Sequence, residues 1–168
     1  MKIYILAVLA LLVSHSVIAE EKDFYLGAGI GAIVVDGDAL TGGGTGISLY
    51  GGYKLNRTFS LETSYHYFSD VKDDPVTISP RMFSLSGLAF YPLSDQLSIF
   101  ARLGASRWDA DIEFSGIDFR SKGGTDLTTG FGFEFKSSDN ISWRQEYQYF
   151  QFDGDKVHTL FLSVNYQF

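Results

Sequence analysis

The feature that most constrains this chain is an alternation of large apolar residues with small or polar ones, which recurs in eight separate segments. Neighbouring side chains of a β-strand point to opposite faces, so this alternation predicts strands whose two faces differ in polarity. The apolar series begin near Phe24, Ile47, Phe59, Phe83, Leu97, Leu127, Ile141 and Leu160. The period of an amphipathic helix does not appear after the N-terminal segment, so the sequence predicts an all-β protein.

The connections between the eight segments alternate in length. Short turns are expected at Asn56-Arg57, Pro92 to Gln96 and Lys136 to Asn140, whereas the other connections are generally longer, with a short exception around Asp153-Gly154-Asp155. The run Gly42-Gly43-Gly44 is interpreted as part of a flexible loop. Short turns at one end and long loops at the other are typical of an eight-stranded antiparallel up-and-down transmembrane β-barrel.

The composition of the two faces distinguishes a membrane barrel from a soluble, lipocalin-like barrel. A soluble barrel needs a charged outer face, but the polar set here consists mainly of Ser, Thr, Gly and Gln. Such small groups suit the narrow interior of an eight-stranded barrel, and the large apolar set then faces lipid. The aromatic residues expected at the two membrane interfaces are Tyr53, Phe59, Tyr65, Tyr67, Tyr91, Tyr149, Tyr166 and Phe168.

The N-terminus has the form of an export signal. Lys2 precedes an apolar run from Ile3 to Val13 that is too short to span a bilayer, and Val17-Ile18-Ala19 predicts removal of residues 1–19. Residues 20–168 then form one outer-membrane barrel domain. The net charge of −7 disfavours nucleic acid as a partner, and the absence of cysteine excludes disulfides and thiolate metal sites.

Two motifs resemble a known family. These are the hairpin Gly52-Tyr53-Lys54-Leu55-Asn56 leading into Phe59-Ser60-Leu61-Glu62, and the terminus Leu162-Ser163-Val164-Asn165-Tyr166-Gln167-Phe168. On these motifs the chain is similar to the outer membrane protein A-like transmembrane barrels of the porin superfamily, over essentially all of the mature part. The resemblance implies that the protein resides in a Gram-negative outer membrane. The sequence departs from the longer members of the family, which continue into a peptidoglycan-binding domain.

The resemblance also implies an assembly signal. Alternating apolar residues that close on a C-terminal Phe are what the family presents to the outer-membrane assembly machinery. The residues in this role are Leu162, Val164, Tyr166 and Phe168.

Ionisable residues on the polar face form a candidate charge network in the lumen. Its members are Glu62, Arg102, Glu134, Arg144 and Glu146, with Lys54, His66 and Asp126 nearer the strand ends. Arg144 and Glu134 lie at similar distances from their shared turn, and Arg102 lies near mid-height like Glu146. The resemblance implies the pairs Glu62–Arg144 and Arg102–Glu134. The network is interpreted either as a gate whose partners exchange or as a structural plug. The plug is favoured, because breaking a buried pair costs about 3–5 kcal/mol.

The longest insertion, Trp108 to Thr125, is a candidate surface-binding loop. Its apolar members Trp108, Phe114, Ile117 and Phe119 would anchor a partner if exposed, although continuation of the hairpin as ordinary strand is favoured. Acidic groups are also predicted in external loops, where they are solvated or bind calcium weakly. They are Asp36 and Asp38, Asp70, Asp73 and Asp74, Asp109, Asp111 and Glu113, and Asp153 and Asp155.

The sequence contains no constellation that predicts catalysis. The His-x-Ser element of lipid A deacylase barrels and the leading amphipathic helix of palmitoyltransferase barrels are both missing, and no cofactor or metal is expected. The predicted function is therefore structural or surface-interacting, in adhesion or envelope integrity. A narrow gated channel is the alternative, and a lipid-modifying enzyme is less favoured. The expected partners are the lipid bilayer, lipopolysaccharide, the assembly machinery, and a host or phage ligand bound through the loops.

Overall fold

The computed structural model describes residues 23–36, 41–69, 71–73, 76–114, 117–152 and 155–168. Among these residues no helix is long and apolar enough to cross a membrane. The strands assigned in them are β1 (Phe24–Asp36), β2 (Thr41–Lys54), β3 (Phe59–Phe68), β4 (Val71–Asp73), β5 (Val76–Pro92), β6 (Leu97–Phe114), β7 (Ile117–Lys136), β8 (Ile141–Phe152) and β9 (Asp155–Gln167). The predicted signal peptide, residues 1–19, lies outside the described residues.

The strands form one closed antiparallel sheet. Each strand pairs with its neighbours in sequence, except that β3 pairs with β5 and not with β4, and β1 also pairs with β9. The three-residue β4 pairs with the first residues of β5, at the end away from the short turns. Strands β3 and β4 together therefore occupy one of the eight strand positions of the barrel. The predicted eight-stranded up-and-down barrel is therefore confirmed. The pairing of β1 with β9 closes the barrel, and we call this pair of strands the seam. At its end the Phe168 N–H donates to Phe24 O at 2.9 Å.

The strand register fixes the tilt and width of the barrel. A row of paired residues that starts at Tyr91 on β5 passes through Ile99, Phe133 and Gln145, and returns to β5 at Arg81, ten residues from its start. With standard strand spacings, this stagger gives a tilt of about 40° and a rise along the barrel axis of about 2.5 Å per residue. Eight strands at this tilt leave an interior that side chains can fill.

The two faces of the wall differ as the alternation predicts. On β6 the outward Leu103 is 60% exposed whereas the inward Arg102 is 3% exposed, and on β1 the outward Ile30 is 69% exposed. Between Tyr91 and Arg81 the outward residues of β5 are apolar over ten residues, about 25 Å along the axis, which matches the apolar band of outer-membrane barrels. The predicted interface aromatics with more than a third of their surface exposed are Tyr53, Phe59, Tyr65, Tyr67, Tyr91, Tyr166 and Phe168.

A polar side chain closes each of the three short turns. Asn56 Oδ1 accepts hydrogen bonds from the backbone of Thr58 and Phe59, both at 2.8 Å. Ser94 Oγ accepts from Leu97 N–H at 3.1 Å, and Ser138 Oγ accepts from Ile141 N–H at 3.2 Å. The short connections predicted from sequence are therefore tight turns in which the side chain satisfies backbone donors that the sheet leaves unpaired.

The strands at the opposite end are longer than predicted. The glycines 42–44, expected in a loop, belong to β2 and pair with Ile33 to Val35 of β1. Strands β6 and β7 continue to Phe114 and Ile117, so the favoured interpretation of the long insertion as an extended hairpin agrees with the structure. The sequence underestimates these strands because their side chains alternate only weakly between apolar and polar, whereas backbone pairing does not require that alternation.

A charge on the outer face should destabilise the barrel in proportion to its depth in lipid. Leu103→Arg places a cation in the middle of the apolar band, and we expect it to lower the free energy of unfolding in vesicles by about 2–4 kcal/mol. Leu93→Arg is the matched control, because Leu93 is also exposed but lies in a turn. Denaturant titration of folded protein in vesicles measures both, and equal losses would contradict the assignment of the outer face to lipid.

Candidate functional site: the layers of the lumen

Five charged side chains from four strands meet in the half of the lumen nearer the three short turns, which we call the lower half. They are Glu62 on β3, Arg102 on β6, Glu134 on β7, and Arg144 and Glu146 on β8. All except Glu134 are at most 4% exposed, and Glu134 lies at the edge of the cluster with a side chain 17% exposed. Every member of the predicted charge network is therefore brought together.

Glu62 joins the two arginines. Arg144 Nη1 donates to Glu62 Oε2 at 2.6 Å, and Arg102 donates to Glu62 Oε1. Arg102 also binds Glu146 through Nε and through Nη2, the latter at 3.0 Å, while Arg144 Nη2 donates to Glu134 Oε2 at 2.9 Å. Each guanidinium thus contacts two carboxylates, which is the arrangement that a buried charge requires in a medium of low polarity.

One of the two pairs implied by the family resemblance is formed and the other is not. Glu62 pairs with Arg144, but Arg102 pairs with Glu62 and Glu146 instead of Glu134. The register gives the reason, since the residue opposite Glu134 on β6 is Ser98, four positions from Arg102 along the strand. Glu134 lies directly opposite Arg144 on β8 and binds it there.

Aromatic rings surround the guanidinium of Arg144. Its Cζ lies 4.9 Å from the ring centre of Tyr50, 5.0 Å from Phe100, 5.5 Å from Tyr25 and 5.8 Å from Phe90. A cation over a ring face is stabilised by the ring quadrupole, and more so where water is excluded. Tyr25 also donates its hydroxyl hydrogen to Glu62 Oε2 at 2.7 Å, which further fixes the carboxylate.

Glycine makes room for this aromatic cage. A Cβ at Gly52 would lie 2.1 Å from the ring of Tyr25, and one at Gly27 would lie 2.3 Å from the ring of Tyr50. Sequence reasoning missed the cage, although a signal was present: Tyr50, Phe90 and Phe100 fall on the polar face of their strands, out of phase with the apolar series. Large residues on a face otherwise made of glycine and serine indicate interior packing.

The other ionisable residues on the polar face lie outside the charge cluster. Lys54 is half-buried near the turn end, where Nζ donates to Gln167 Oε1 at 2.8 Å. His66 is buried, with Nε2 3.0 Å from Ser64 Oγ. Asp126 Oδ2 accepts the indole hydrogen of Trp108 at 2.7 Å.

A second, apolar layer fills the lumen on the loop side of the charge cluster. We call it the apolar layer, and its buried members are Ile33, Val35, Phe68, Met82, Trp108, Phe150, Val157 and Phe161. The prediction that Trp108 belongs to an exposed binding loop is wrong, because its side chain is 4% exposed and lies inside the barrel. Phe114 and Ile117 pair across the end of the β6–β7 hairpin and Phe119 lies in β7, but their side chains fall outside the described part of the structure.

In the described part of the structure, the lumen opens at its turn end. A cavity of about 750 Å³ begins among the turns and reaches Phe90 and Glu134, where the charge cluster starts. The apolar layer lies farther from the turns, beyond the charge cluster. The interior therefore contains, in order, a wet vestibule, a charge cluster and an apolar layer.

The C-terminal alternation places the predicted assembly signal on the outer face. Leu162, Val164, Tyr166 and Phe168 are between 38% and 59% exposed and lie on β9 or directly after it. Because β9 pairs with β1, these side chains lie beside the seam that closes the barrel. Their recognition by assembly machinery stays a prediction.

The acidic residues predicted in loops fall in several places. Asp109, Asp111 and Glu113 belong to β6 rather than to a loop, Asp36 ends β1, Asp73 ends β4 and Asp155 begins β9. Asp38, Asp70, Asp74 and Asp153 lie outside the described residues. In the described part of the chain, no group of three or more His, Asp or Glu side chains is placed to hold a metal ion.

Comparison with known proteins agrees with this architecture. The family described as outer membrane protein beta-barrel domain matches residues 4–168, so the chain belongs to it. It is 28% identical over 114 residues to outer membrane protein A of Klebsiella aerogenes, covering 66% of this chain and 33% of that protein. For outer membrane protein A of Escherichia coli O157:H7 the identity is 26% over 136 residues, covering 73% and 39%. The chain thus spans between a third and two fifths of these relatives.

Solved structures share the fold at low sequence identity. Neisserial surface protein A has a TM-score of 0.77 at 15% identity, covering 86% of this chain and 97% of that one. Ail, the attachment invasion locus protein of Yersinia pestis, has a TM-score of 0.68 at 20% identity, covering 87% and 98%, and was crystallised with the heparin analogue sucrose octasulfate. The protein is an outer membrane protein A-like β-barrel of the Gram-negative outer membrane.

Removal of Arg144 should be far more damaging than removal of another luminal cation. Arg144→Met leaves Glu62 and Glu134 short of a partner, and we expect a loss of about 3–5 kcal/mol in the free energy of unfolding. Lys54→Met is the matched control, since Lys54 is only half-buried and its ammonium binds an amide, so its loss should cost about 1 kcal/mol or less. Equal losses in denaturant titration would show that the charge cluster does not hold the barrel together.

Proposed function

We propose that this protein is a sealed structural barrel of the outer membrane that presents its long β6–β7 hairpin to partners outside the cell. The observation that carries the sealed state is the closure of the lumen at two levels, by the charge cluster and by the apolar layer. The two levels depend on different physical interactions. Loss of one therefore leaves the other in place.

The closed lumen disfavours the channel alternative. An exchange of partners within the charge cluster could open a path past Arg144, but such a path would end at the buried rings of Phe68, Phe150 and Phe161. Water and ions do not enter a packed apolar layer without a large free-energy cost. A gate made of ion pairs alone would therefore not connect the two sides of the membrane.

We expect the reconstituted barrel to be silent in planar bilayers, and Arg144→Ala to be silent as well. The measurement is single-channel conductance, with a known open porin as the positive control for insertion. Steps that appear on the change at Arg144 would make the charge cluster the only barrier and would support the gated channel instead.

Catalysis is not part of the proposal. The one Ser–His contact in the described interior joins Ser64 and His66, and Ser64 Oγ is also 2.6 Å from Ser84 Oγ. His66 Nδ1 has no hydrogen-bond partner, so no group orients the ring, and Phe68 and Phe161 pack against it. A hydrolase needs an oriented base and access for substrate, and this pair has neither.

The β6–β7 hairpin supports the surface role. Beyond Arg107, at the top of the apolar band, β6 continues for seven residues to Phe114, about 17 Å along the axis. In the described register β7 pairs with β8 only from Thr129 onward, so the segment from Ile117 to Thr128 forms an edge of the extended sheet. A sheet edge is a template on which a partner can add a strand.

The charge of the hairpin limits the partner's chemistry. Between Arg107 and Asp126 the sequence has three basic and five acidic residues. A sulfated polysaccharide analogue such as the ligand crystallised with Ail would meet an acidic surplus here, so we do not extend that ligand to this protein. A neutral or basic protein segment fits the hairpin better.

Shortening the hairpin should remove surface binding and leave the barrel intact. Replacing residues 111–121 by Asn-Gly keeps the register pair Ala110 and Lys122 and closes it with a favoured two-residue turn. We expect adhesion or phage adsorption of cells that express this variant to fall to the background level. The matched control puts Asn-Gly in place of Ser94-Asp95, in a turn at the other end of the barrel. Binding that survives the shortened hairpin contradicts the proposed surface role.

A further inference from the structure

Gln145 is a polar side chain on the lipid-facing side of the wall, and the described residues provide it with no hydrogen-bond partner. Gln145 is exposed and points outward from β8, where its register partners are Phe133 on β7 and Leu162 on β9. It lies four residues above Ile141, at which β8 begins, so its Cα is about 10 Å from the turn end of the strand. This depth places the amide within the hydrocarbon and beyond the reach of interfacial water.

The amide of Gln145 makes no hydrogen bond with the described residues. Two other outward polar groups in the band have partners: Thr63 Oγ1 donates to Ser84 O at 3.2 Å, and the Tyr147 hydroxyl lies 2.5 Å from His158 Nδ1. An amide in hydrocarbon without a partner is unfavourable, and acyl chains supply neither donors nor acceptors. Polar side chains inside a membrane commonly mark an interaction site.

We propose that Gln145 marks an interface with a second copy of this chain. All copies have the same orientation and depth in the membrane, so a two-fold axis that relates two of them runs along the membrane normal. Such an axis beside Gln145 brings the two Gln145 side chains together at one depth. Because an amide has both a donor and an acceptor, the two side chains can form two reciprocal hydrogen bonds, each Nε2–H donating to the other Oε1.

The surfaces on either side of Gln145 are complementary under the same two-fold axis. On the β7 side, Phe131, Phe133 and Phe135 form a ridge in which each side chain is at least 46% exposed. On the β9 side, a groove of about 740 Å³ begins at Gln145 and runs past Leu162 to Ile30. The axis places the ridge of each copy against the groove of the other, so apolar contact and hydrogen bonding occur at the same interface.

The test is energy transfer between donor-labelled and acceptor-labelled copies in phospholipid vesicles, as a function of the protein-to-lipid ratio. The chain has no cysteine, so a cysteine introduced at Ser94 carries the label. We expect the parent protein to dimerise and Gln145→Leu to have a dimer dissociation constant about tenfold higher. A tenfold change corresponds to roughly 1.4 kcal/mol, which is the size of side-chain hydrogen bonding between membrane-embedded segments.

The matched control is Gln151→Leu. It makes the same change on the same face of β8, six residues higher, where Gln151 Nε2 already lies 3.4 Å from Tyr149 Oη and water is within reach. This variant should dimerise like the parent, and heat-modifiable gel mobility checks that all three proteins are folded. No energy transfer above random proximity in the parent, or equal association of the parent and Gln145→Leu, would overturn the proposal and leave lipid as the occupant of the groove.

Discussion

The structure depends on the absence of water from the hydrocarbon layer. Every backbone N–H and C=O at that depth has to find a partner in the chain, and a sheet satisfies this requirement only when its edges meet. Here they meet where β1 pairs with β9 from Tyr25 to Asp36, and where β3 pairs with β5. The lipid around the barrel explains why the outer face can consist of side chains such as Leu103 and Ile30 that a soluble barrel would bury.

Closure creates a narrow interior in which buried charges need partners of opposite sign. The arginines occupy the lower half because three carboxylates, supplied by β3, β7 and β8, converge there, and Glu62 contacts both guanidinium groups. Glycine on the strands beside Tyr25 and Tyr50 lets their rings cover Arg144. Towards the loops the chain changes from ion pairs to packed apolar side chains. The two layers fill the lumen above the cavity that opens among the turns, and they are the basis for proposing a sealed barrel.

Much of this architecture could be predicted from the sequence, because alternation reports directly on a wall with lipid on one side. The strand count, the three short turns and the membership of the charge network follow from the period and from the residue types. Arg144 and Glu134, expected at similar distances from their shared turn, do form a pair, whereas the pair Arg102–Glu134 implied by the resemblance does not form. The register places Ser98 opposite Glu134, and Arg102 binds Glu146 instead; no local sequence pattern encodes this register. The role of Trp108 as a surface anchor, one of the two interpretations of the insertion, fails because the inward phase of β6 continues to that position and buries the indole.

The measurement that tests the central claim most directly is a nitroxide scan along β6 in vesicles, made on the cysteine-free chain with one label at a time from position 98 to 106, omitting Arg102. Collision with oxygen reports lipid, and collision with a water-soluble nickel chelate reports water. The account predicts that labels at Ile99, Ala101, Leu103 and Ala105 collide with oxygen, and that labels at positions 100 and 106 collide with neither reagent. If the labels at all the inward positions of β6 collide with the nickel chelate, the lumen is filled with water, and this result would contradict a sealed barrel.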